Sequence, residues 1–197
     1  MDIQVKSSNG ITLVPLETRL LTNRQIFLEG EIDSKSSCDF TKQIILLTKE
    51  STSAPIQVII NSPGGEVNSG LLIYDVIQTC HTPIQMYCFG RAYSMAAVLF
   101  ASGRFGRYML PHAELMLHEP LLSERIRGNS SSIKSISDSL IETRKKLNRI
   151  LSTHTGRSEE EIKAATSYDH YYSAEESIAF GLCDKKVFFD EIMEGNI

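Results

Sequence analysis

The most restrictive feature of this sequence is the run IQVII at residues 56–60, which leads through NSPGG into a segment with helical apolar spacing. A strand that is apolar on both faces needs cover on both faces, as in the parallel sheets of α/β proteins. The same order of strand and helix occurs twice more, at 25–32 before 36–49 and at 84–89 before 95–103. The sequence therefore predicts an α/β fold of strand–helix units with right-handed crossovers.

A long amphipathic helix is predicted towards the end of the chain, from about Ser131 to His154. Gly156 is placed to end it in the left-handed conformation. One apolar stripe runs along this helix, through Ile133, Ile136, Leu140, Leu147 and Leu151. Shorter patterns predict a hairpin that turns at Asn9-Gly10, and a last helix in SAEESIAFG whose first residues match a capping box.

Composition restricts the partners and sites that this chain can have. Its 197 residues suffice for one domain, and 42% hydrophobic with 22% charged residues is typical of a soluble globular protein. A net charge of −4 without a basic block argues against nucleic acid. No segment has the pattern of a membrane span or a signal peptide. Four scattered cysteines without CxxC spacing argue against a metal site and favour buried thiols in a reducing cytoplasm.

A serine at the head of an apolar helix raises the question of function. Ser94, in GRAYSMAAVLFASG, follows a predicted strand and is either the cap of the next helix or a nucleophile. A nucleophilic serine needs a base and N–H donors for an oxyanion. Ala92 and Ala96 are small enough for the tight turn of a nucleophile elbow, although the literal GxSxG pattern is absent. On these residues alone, the helix cap is the commoner role.

Two other segments could complete a site around Ser94. His118 differs from the other four histidines because it closes the predicted strand ELMLH, just before Pro120, where a side chain can face a cleft. NSPGG predicts a turn beyond a buried strand, at the edge of the sheet where α/β proteins bind ligands. Its glycine N–H groups could approach a ligand or an oxyanion. A solvated surface histidine and a plain turn are the alternatives.

Four stretches, in order, resemble the family of the proteolytic subunit of the Clp protease (ClpP). They are INSPGGEVNSGLLIYDVI, GRAYSMAAVLFASG, LPHAELMLHEP and YDHYYSAEESIAFGLCD. The resemblance extends from about Leu13 to Asp184, nearly the whole chain. It identifies the chain as a member of that family, and its departures from the family pattern suit a divergent paralogue.

The resemblance implies a role for each candidate residue. Ser94 would be the nucleophile, His118 the general base and Asp169 the carboxylate that orients the histidine. The backbone N–H groups of Gly65 and Met95 would form the oxyanion hole. A rival carboxylate, Asp184 in GLCD, is structural in the family pattern. Neither a cofactor nor a metal is implied.

The resemblance also implies an architecture. Residues 1–197 would form a single peptidase domain with a crotonase-like head, an axial hairpin within 1–20 and a projecting helical handle at 122–155. Seven subunits would form a ring, and two rings would stack as a tetradecamer around a closed chamber. An ATP-dependent AAA+ unfoldase would feed polypeptide substrates into it, without a role for nucleic acid or membrane.

Several departures leave partners and specificity open. His170 stands where arginine is usual, and Tyr93 replaces a usual alanine. Gln57 and Ile59 stand where tyrosines commonly help to dock the unfoldase. One alternative is a catalytically latent ring subunit that assembles with an active partner. Another is a crotonase-type hydratase or isomerase, which the serine, histidine and aspartate set disfavours.

Overall fold

The computed structural model describes residues 1–7, 10–122 and 128–194. The strands are β1 (Asp2–Ser7), β2 (Gly10–Pro15), β3 (Gln25–Ile32), β4 (Ile56–Gly65), β5 (Ile84–Tyr93), β6 (Arg107–Met109), β7 (Glu114–Leu117), β8 (His170–Tyr172) and β9 (Lys185–Lys186). The helices are α1 (Leu16–Thr22), α2 (Ser34–Glu50), α3 (Val67–Thr79), α4 (Met95–Ala101), α5 (Ser130–Thr155), α6 (Glu159–Ala165), α7 (Ala174–Phe180) and α8 (Phe189–Glu194).

The central sheet is mostly parallel, with strand order β3-β4-β5-β6-β9. Ile56, Val58, Ile59 and Ile60 of β4 are all buried, so the strand is covered on both faces as the run IQVII predicts. The predicted α/β class is therefore confirmed. The predicted hairpin is present as the antiparallel pair β1–β2, and Asn9 of its turn lies outside the described residues.

Strand β5 pairs with two different strands along its length, in addition to β4. Its residues 86–88 pair with β6, and residues 91–93 pair with β7, which in turn pairs with the antiparallel β8. Gly90, between the two sections, has a φ of 90°, which a glycine adopts without strain. The ends of β5 and β7 and the start of β8 thus meet at one edge of the sheet.

The prediction that NSPGG forms a turn is wrong, because residues 61–65 continue β4. Gly64 and Gly65 pair with Glu31 and Ile32 of β3 after a shift in register. Gly64 has a φ of 92°, and a Cβ there would lie 2.8 Å from the Cβ of Ser94. The glycines therefore allow a strand to pass directly against the next strand–helix turn, which no side chain would permit.

Arg107 joins the ends of three helices beneath the site. Its guanidinium donates hydrogen bonds to the carbonyls of Ala101 in α4 (3.2 Å), His154 in α5 (3.2 Å) and Gly181 after α7 (2.7 Å). It also pairs with the carboxylate of Asp184 at 2.5 Å. The last carbonyls of a helix have no intrahelical donor, so one arginine supplies donors to three helix ends.

The helices largely match the sequence prediction. α5 spans the predicted long helix and ends at Gly156, which is left-handed with a φ of 72°. α7 begins with the predicted capping box of Ser173 and Glu176. α1, α6, α8, β8 and β9 were not predicted. Among the described residues, no helix combines the length and apolarity needed to cross a bilayer.

Candidate active site

Ser94 lies on the tight turn from β5 into α4. Its φ of 53° is unusual for a residue with a side chain. Its N–H donates to the carbonyl of Met116 at 2.8 Å, which ties this turn to β7. Ser94 occupies the N-cap position of α4, but its side chain makes no capping hydrogen bond to the helix. Instead the hydroxyl lies 2.8 Å from Nε2 of His118.

His118 and Asp169 are brought together by the pairing of β7 with β8. Leu117 is opposite His170 in the antiparallel register, so the residue after β7 lies beside the residue before β8. Nδ1 of His118 is 3.2 Å from Oδ1 of Asp169. The histidine side chain is 17% exposed and the aspartate side chain 59% exposed. The pair therefore lies at the mouth of the site rather than in the core.

The hydrogen-bond partners assign the tautomer of His118. An ionised carboxylate only accepts hydrogen bonds, so Nδ1 donates to Asp169. In a neutral imidazole, Nε2 then carries a lone pair and accepts the hydroxyl proton of Ser94. The three side chains consequently form one directed series, in which the serine donates to the histidine and the histidine donates to the aspartate. Asp184 is engaged with Arg107 instead.

Of the two predicted oxyanion donors, Met95 directly follows Ser94, and Gly65 lines the same cavity. Met95 is the first residue of α4, and the first N–H groups of a helix have no intrahelical acceptor. A Cβ on Gly64 would lie 3.1 Å from the nitrogen of Met95, so the glycine strand passes close to this N–H. The N–H of Gly64 donates to the hydroxyl of Ser62. Gly65 lines the same cavity as Ser94.

The site opens into a cavity of about 460 Å³, whose lining includes Ser94, His118, Gly65, Glu31 and Glu66. A second cavity of about 540 Å³ continues along α5 and shares part of that lining. The two cavities adjoin, since Glu66, Val67, Pro120 and Leu121 line both of them.

A small apolar cavity of about 20 Å³ lies beneath the serine and histidine. Val67, Val98, Leu147 and Leu151 contribute to it. The first two residues come from α3 and α4, and the leucines come from the second half of α5. The C-terminal half of α5 therefore forms part of the floor of the site.

The buried thiols do not compete with Ser94 as nucleophiles. Burial raises the pKa of Cys88 to about 12 and that of Cys183 to about 11. Both groups are therefore thiols at neutral pH, whereas the thiolate is the reactive form. Among the described residues, no group of three or more His, Cys, Asp or Glu side chains is arranged to hold a metal ion.

Met116 and Glu31 are among the residues of the site that the sequence alone does not indicate. Met116 accepts the N–H of Ser94 through its carbonyl, and Glu31 lines the cavity. Met116 could have been found by aligning ELMLH in parallel with the end of β5. Glu31 lies at the carboxyl end of β3, next to the glycine strand, where the strand order would have placed it.

The fold and this geometry define a class of protein: an α/β subunit with a serine-hydrolase arrangement of hydrogen bonds at one edge of a mostly parallel sheet. A family model described as Clp protease matches residues 8–190. Because the match covers nearly the whole chain, the chain belongs to the Clp protease family. The family predicted from the four motifs is confirmed. Such proteins are in general oligomeric serine peptidases that work with AAA+ unfoldases.

Proposed function

We propose that this chain is a serine endopeptidase that cleaves polypeptides through an acyl-enzyme. The observation that carries the proposal is the continuous series from Asp169 through His118 to Ser94, with contacts of 3.2 Å and 2.8 Å. Each of the three side chains comes from a different turn of the fold, yet their donors and acceptors match.

In the first half of the reaction, Oγ of Ser94 attacks the peptide carbonyl carbon and its proton passes to Nε2 of His118. The carboxylate of Asp169 stabilises the imidazolium that forms. The N–H groups of Gly65 and Met95 donate to the oxyanion. His118 then gives the proton to the leaving amine, and the peptide bond breaks. In the second half, His118 takes a proton from water as the hydroxide attacks the ester carbon. The bond from that carbon to Oγ then breaks, His118 returns the proton to Oγ of Ser94, and the carboxyl product leaves.

The proposal extends to assembly and substrate supply. Following the family, seven subunits would form a ring, two rings would stack as a tetradecamer, and an AAA+ unfoldase would deliver unfolded chains in the cytoplasm. The two adjoining cavities beside Ser94 support a polypeptide as substrate. The exposed first half of α5 lies within the segment 122–155 that would form the ring–ring handle, of which residues 123–127 lie outside the described structure.

The test of the chemistry combines a fluorophosphonate probe with a fluorogenic peptide. The parent protein is expected to take up the probe and hydrolyse the peptide. Ser94→Ala should abolish labelling and lower kcat by at least about 10⁴-fold, as for other members of a triad. Ser102→Ala, at the other end of α4, is the matched control and should retain both activities. Hydrolysis by a clean Ser94→Ala preparation would contradict the mechanism.

The same experiment tests the latent ring subunit, because native mass spectrometry reports assembly independently of activity. Activity together with a tetradecamer supports the full proposal. Rings that neither take up the probe nor cleave the peptide would favour the latent alternative. The aligned donors and acceptors of the three side chains in a single chain support an active subunit.

A further inference from the structure

A second row of side chains crosses the same three strands as the active site. Tyr93 of β5 is opposite Met116 of β7, and Met116 is opposite Tyr171 of β8. Tyr93 directly precedes Ser94, and Tyr171 follows Asp169 by two residues. The row therefore lies one residue from Ser94 and two residues from His118 and Asp169 along the chain. The family resemblance assigns no role to Tyr93, because alanine is usual at that position.

Tyr93 makes two specific contacts across this row. Its hydroxyl donates a hydrogen bond of 2.5 Å to Oε1 of Glu114 in β7. A donor to an ionised carboxylate makes one of the stronger types of hydrogen bond. Its ring meets the ring of Tyr171 edge-on, with centroids 5.7 Å apart and an interplanar angle of 87°. The guanidinium of Arg91 lies 5.6 Å from the centroid of the Tyr93 ring.

The hydroxyl of Tyr93 is a permanent donor in this setting. The hydrogen bond to Glu114, together with partial burial, raises the pKa of Tyr93 to about 12. The hydroxyl therefore keeps its proton throughout the pH range in which a histidine-dependent peptidase works. The link between β5 and β7 is maintained across that range.

The strand that directly follows Asp169 is short, and it is held by its pairing with β7 and by Tyr172, whose side chain is buried in the core. β8 has three residues, and within the described structure it pairs with β7 alone. Asp169, immediately before it, is the most exposed member of the catalytic series. Tyr171 is itself 48% exposed, and its ring contacts the ring of Tyr93. That contact connects the nucleophile strand directly to the short edge strand.

We propose that Tyr93 is a positioning residue that fixes β8, and with it Asp169, relative to Ser94. Its hydroxyl anchors the ring to β7, and the anchored ring supports Tyr171. This inference rests on the proposed peptidase function. Because Asp169 orients His118 for the chemical step rather than for substrate binding, losing Tyr93 should lower kcat and leave KM nearly unchanged.

The test measures kcat and KM for Tyr93→Phe and Tyr93→Ala with the fluorogenic peptide. Tyr93→Ala is expected to lower kcat about 10-fold or more with KM within about twofold. Tyr93→Phe keeps the ring contact but loses the hydrogen bond to Glu114, so its kcat should lie between that of Tyr93→Ala and that of the parent. Tyr168→Ala is the matched control, since Tyr168 adjoins Asp169 but is 86% exposed, and it should leave kcat unchanged.

A double-mutant cycle separates positioning from a general structural effect. If Tyr93 acts through Asp169, Tyr93→Ala should have little further effect in an Asp169→Asn background. Should Tyr93→Ala not fold, Tyr93→Phe and Tyr171→Leu provide the same cycle. Equal kcat in parent and variants, or an undiminished loss in the Asp169→Asn background, would overturn the inference. The proposed function is judged separately, by the dependence of the parent activity on Ser94.

Discussion

The two halves of α5 carry the same apolar stripe and have opposite surroundings. In the C-terminal half, Leu147 and Leu151 are 7% and 2% exposed and form part of the floor of the active site. In the N-terminal half, Ile133 is 46% exposed, and Ile136 and Leu140 are only partly buried. The periodicity of a helix therefore predicts which face is apolar. It does not predict whether the same subunit covers that face.

The two halves of α5 differ in exposure because they have different packing partners. The C-terminal half packs on α4, and Arg107 holds its last turn. The N-terminal half carries surface ion pairs such as Lys134 with Asp138, which contribute little to stability. One half thus belongs to the core of the subunit. The other belongs to its surface, where the proposed assembly places a ring–ring contact.

The largest effect is expected when a leucine is truncated in the buried C-terminal half of α5. Leu151→Ala removes a nearly inaccessible side chain beneath the site and should lower the free energy of unfolding by about 3 kcal/mol. Urea denaturation at a fixed protein concentration measures the change. Peptidase activity should also fall, because the floor of the site loses volume that supports α4. A change below about 0.5 kcal/mol, typical of a surface substitution, would contradict the assignment.

A slightly smaller effect is expected from the arginine that holds the end of the buried half. Arg107→Met leaves carbonyls of three helix ends without their donor and should lower the free energy of unfolding by about 2–3 kcal/mol. The matched control is Arg104→Met, since Arg104 donates to the single carbonyl of Gln78 in an exposed contact. If both variants lose the same free energy of unfolding, the hydrogen bonds from Arg107 to three helix ends contribute no additional stability.

A weaker, pH-dependent effect should come from His154 in the last turn of α5. Burial, followed by Arg107 and Arg104, lowers the pKa of this histidine. The folded state therefore disfavours its protonation. The contribution of His154 to the free energy of unfolding is therefore greatest above the ordinary histidine pKa of about 6.5. It declines as the pH falls below that value.

His154→Gln should accordingly make stability less sensitive to acid between about pH 6.5 and 5. Urea midpoints across that range measure the slope, and His81→Gln, in an exposed loop, serves as the control. If the urea midpoints of the parent and of His154→Gln change with pH in the same way, His154 is not a source of acid sensitivity.

The smallest effect is expected in the exposed half of the helix. Ile133→Ser should change the free energy of unfolding of the subunit by no more than about 0.5 kcal/mol. The measurement is urea denaturation at concentrations where the protein is dissociated, with the tetradecamer fraction followed separately by native mass spectrometry. A loss as large as that of Leu151→Ala would mean that this half packs within its own subunit.

Much of the fold follows from local sequence patterns. The apolar run 56–60, the capping box at Ser173 and the stop at Gly156 each correspond to the structure at the predicted place. The prediction of a turn at Gly64 and Gly65 is wrong, because it relies on the rule that glycine weakens a strand and marks a turn. Here the requirement for close approach to the Ser94 turn overrides that local preference.

The site was only partly accessible from sequence. Each of Ser94, His118 and Asp169 was ambiguous or unnoticed until the family resemblance joined them, because hydrogen bonds across strands depend on register. The bond of Tyr93 to Glu114 spans 21 residues and requires the parallel pairing of β5 with β7. β8 is too short for a periodic signal, and it exists because β7 offers an edge. These features depend on the pairing of strands in the tertiary structure and not on local propensity.

The spacing of the catalytic series along the chain gives it an order of completion during synthesis. His118 follows Ser94 by 24 residues, and Asp169 follows His118 by 51. At roughly 5–20 residues per second, a ribosome delivers the aspartate several seconds after the histidine. During that interval the nascent chain holds a nucleophile and a base without the carboxylate that orients them. In the proposed mechanism, peptidase activity would therefore have to wait until the residues up to Asp169 have been synthesised.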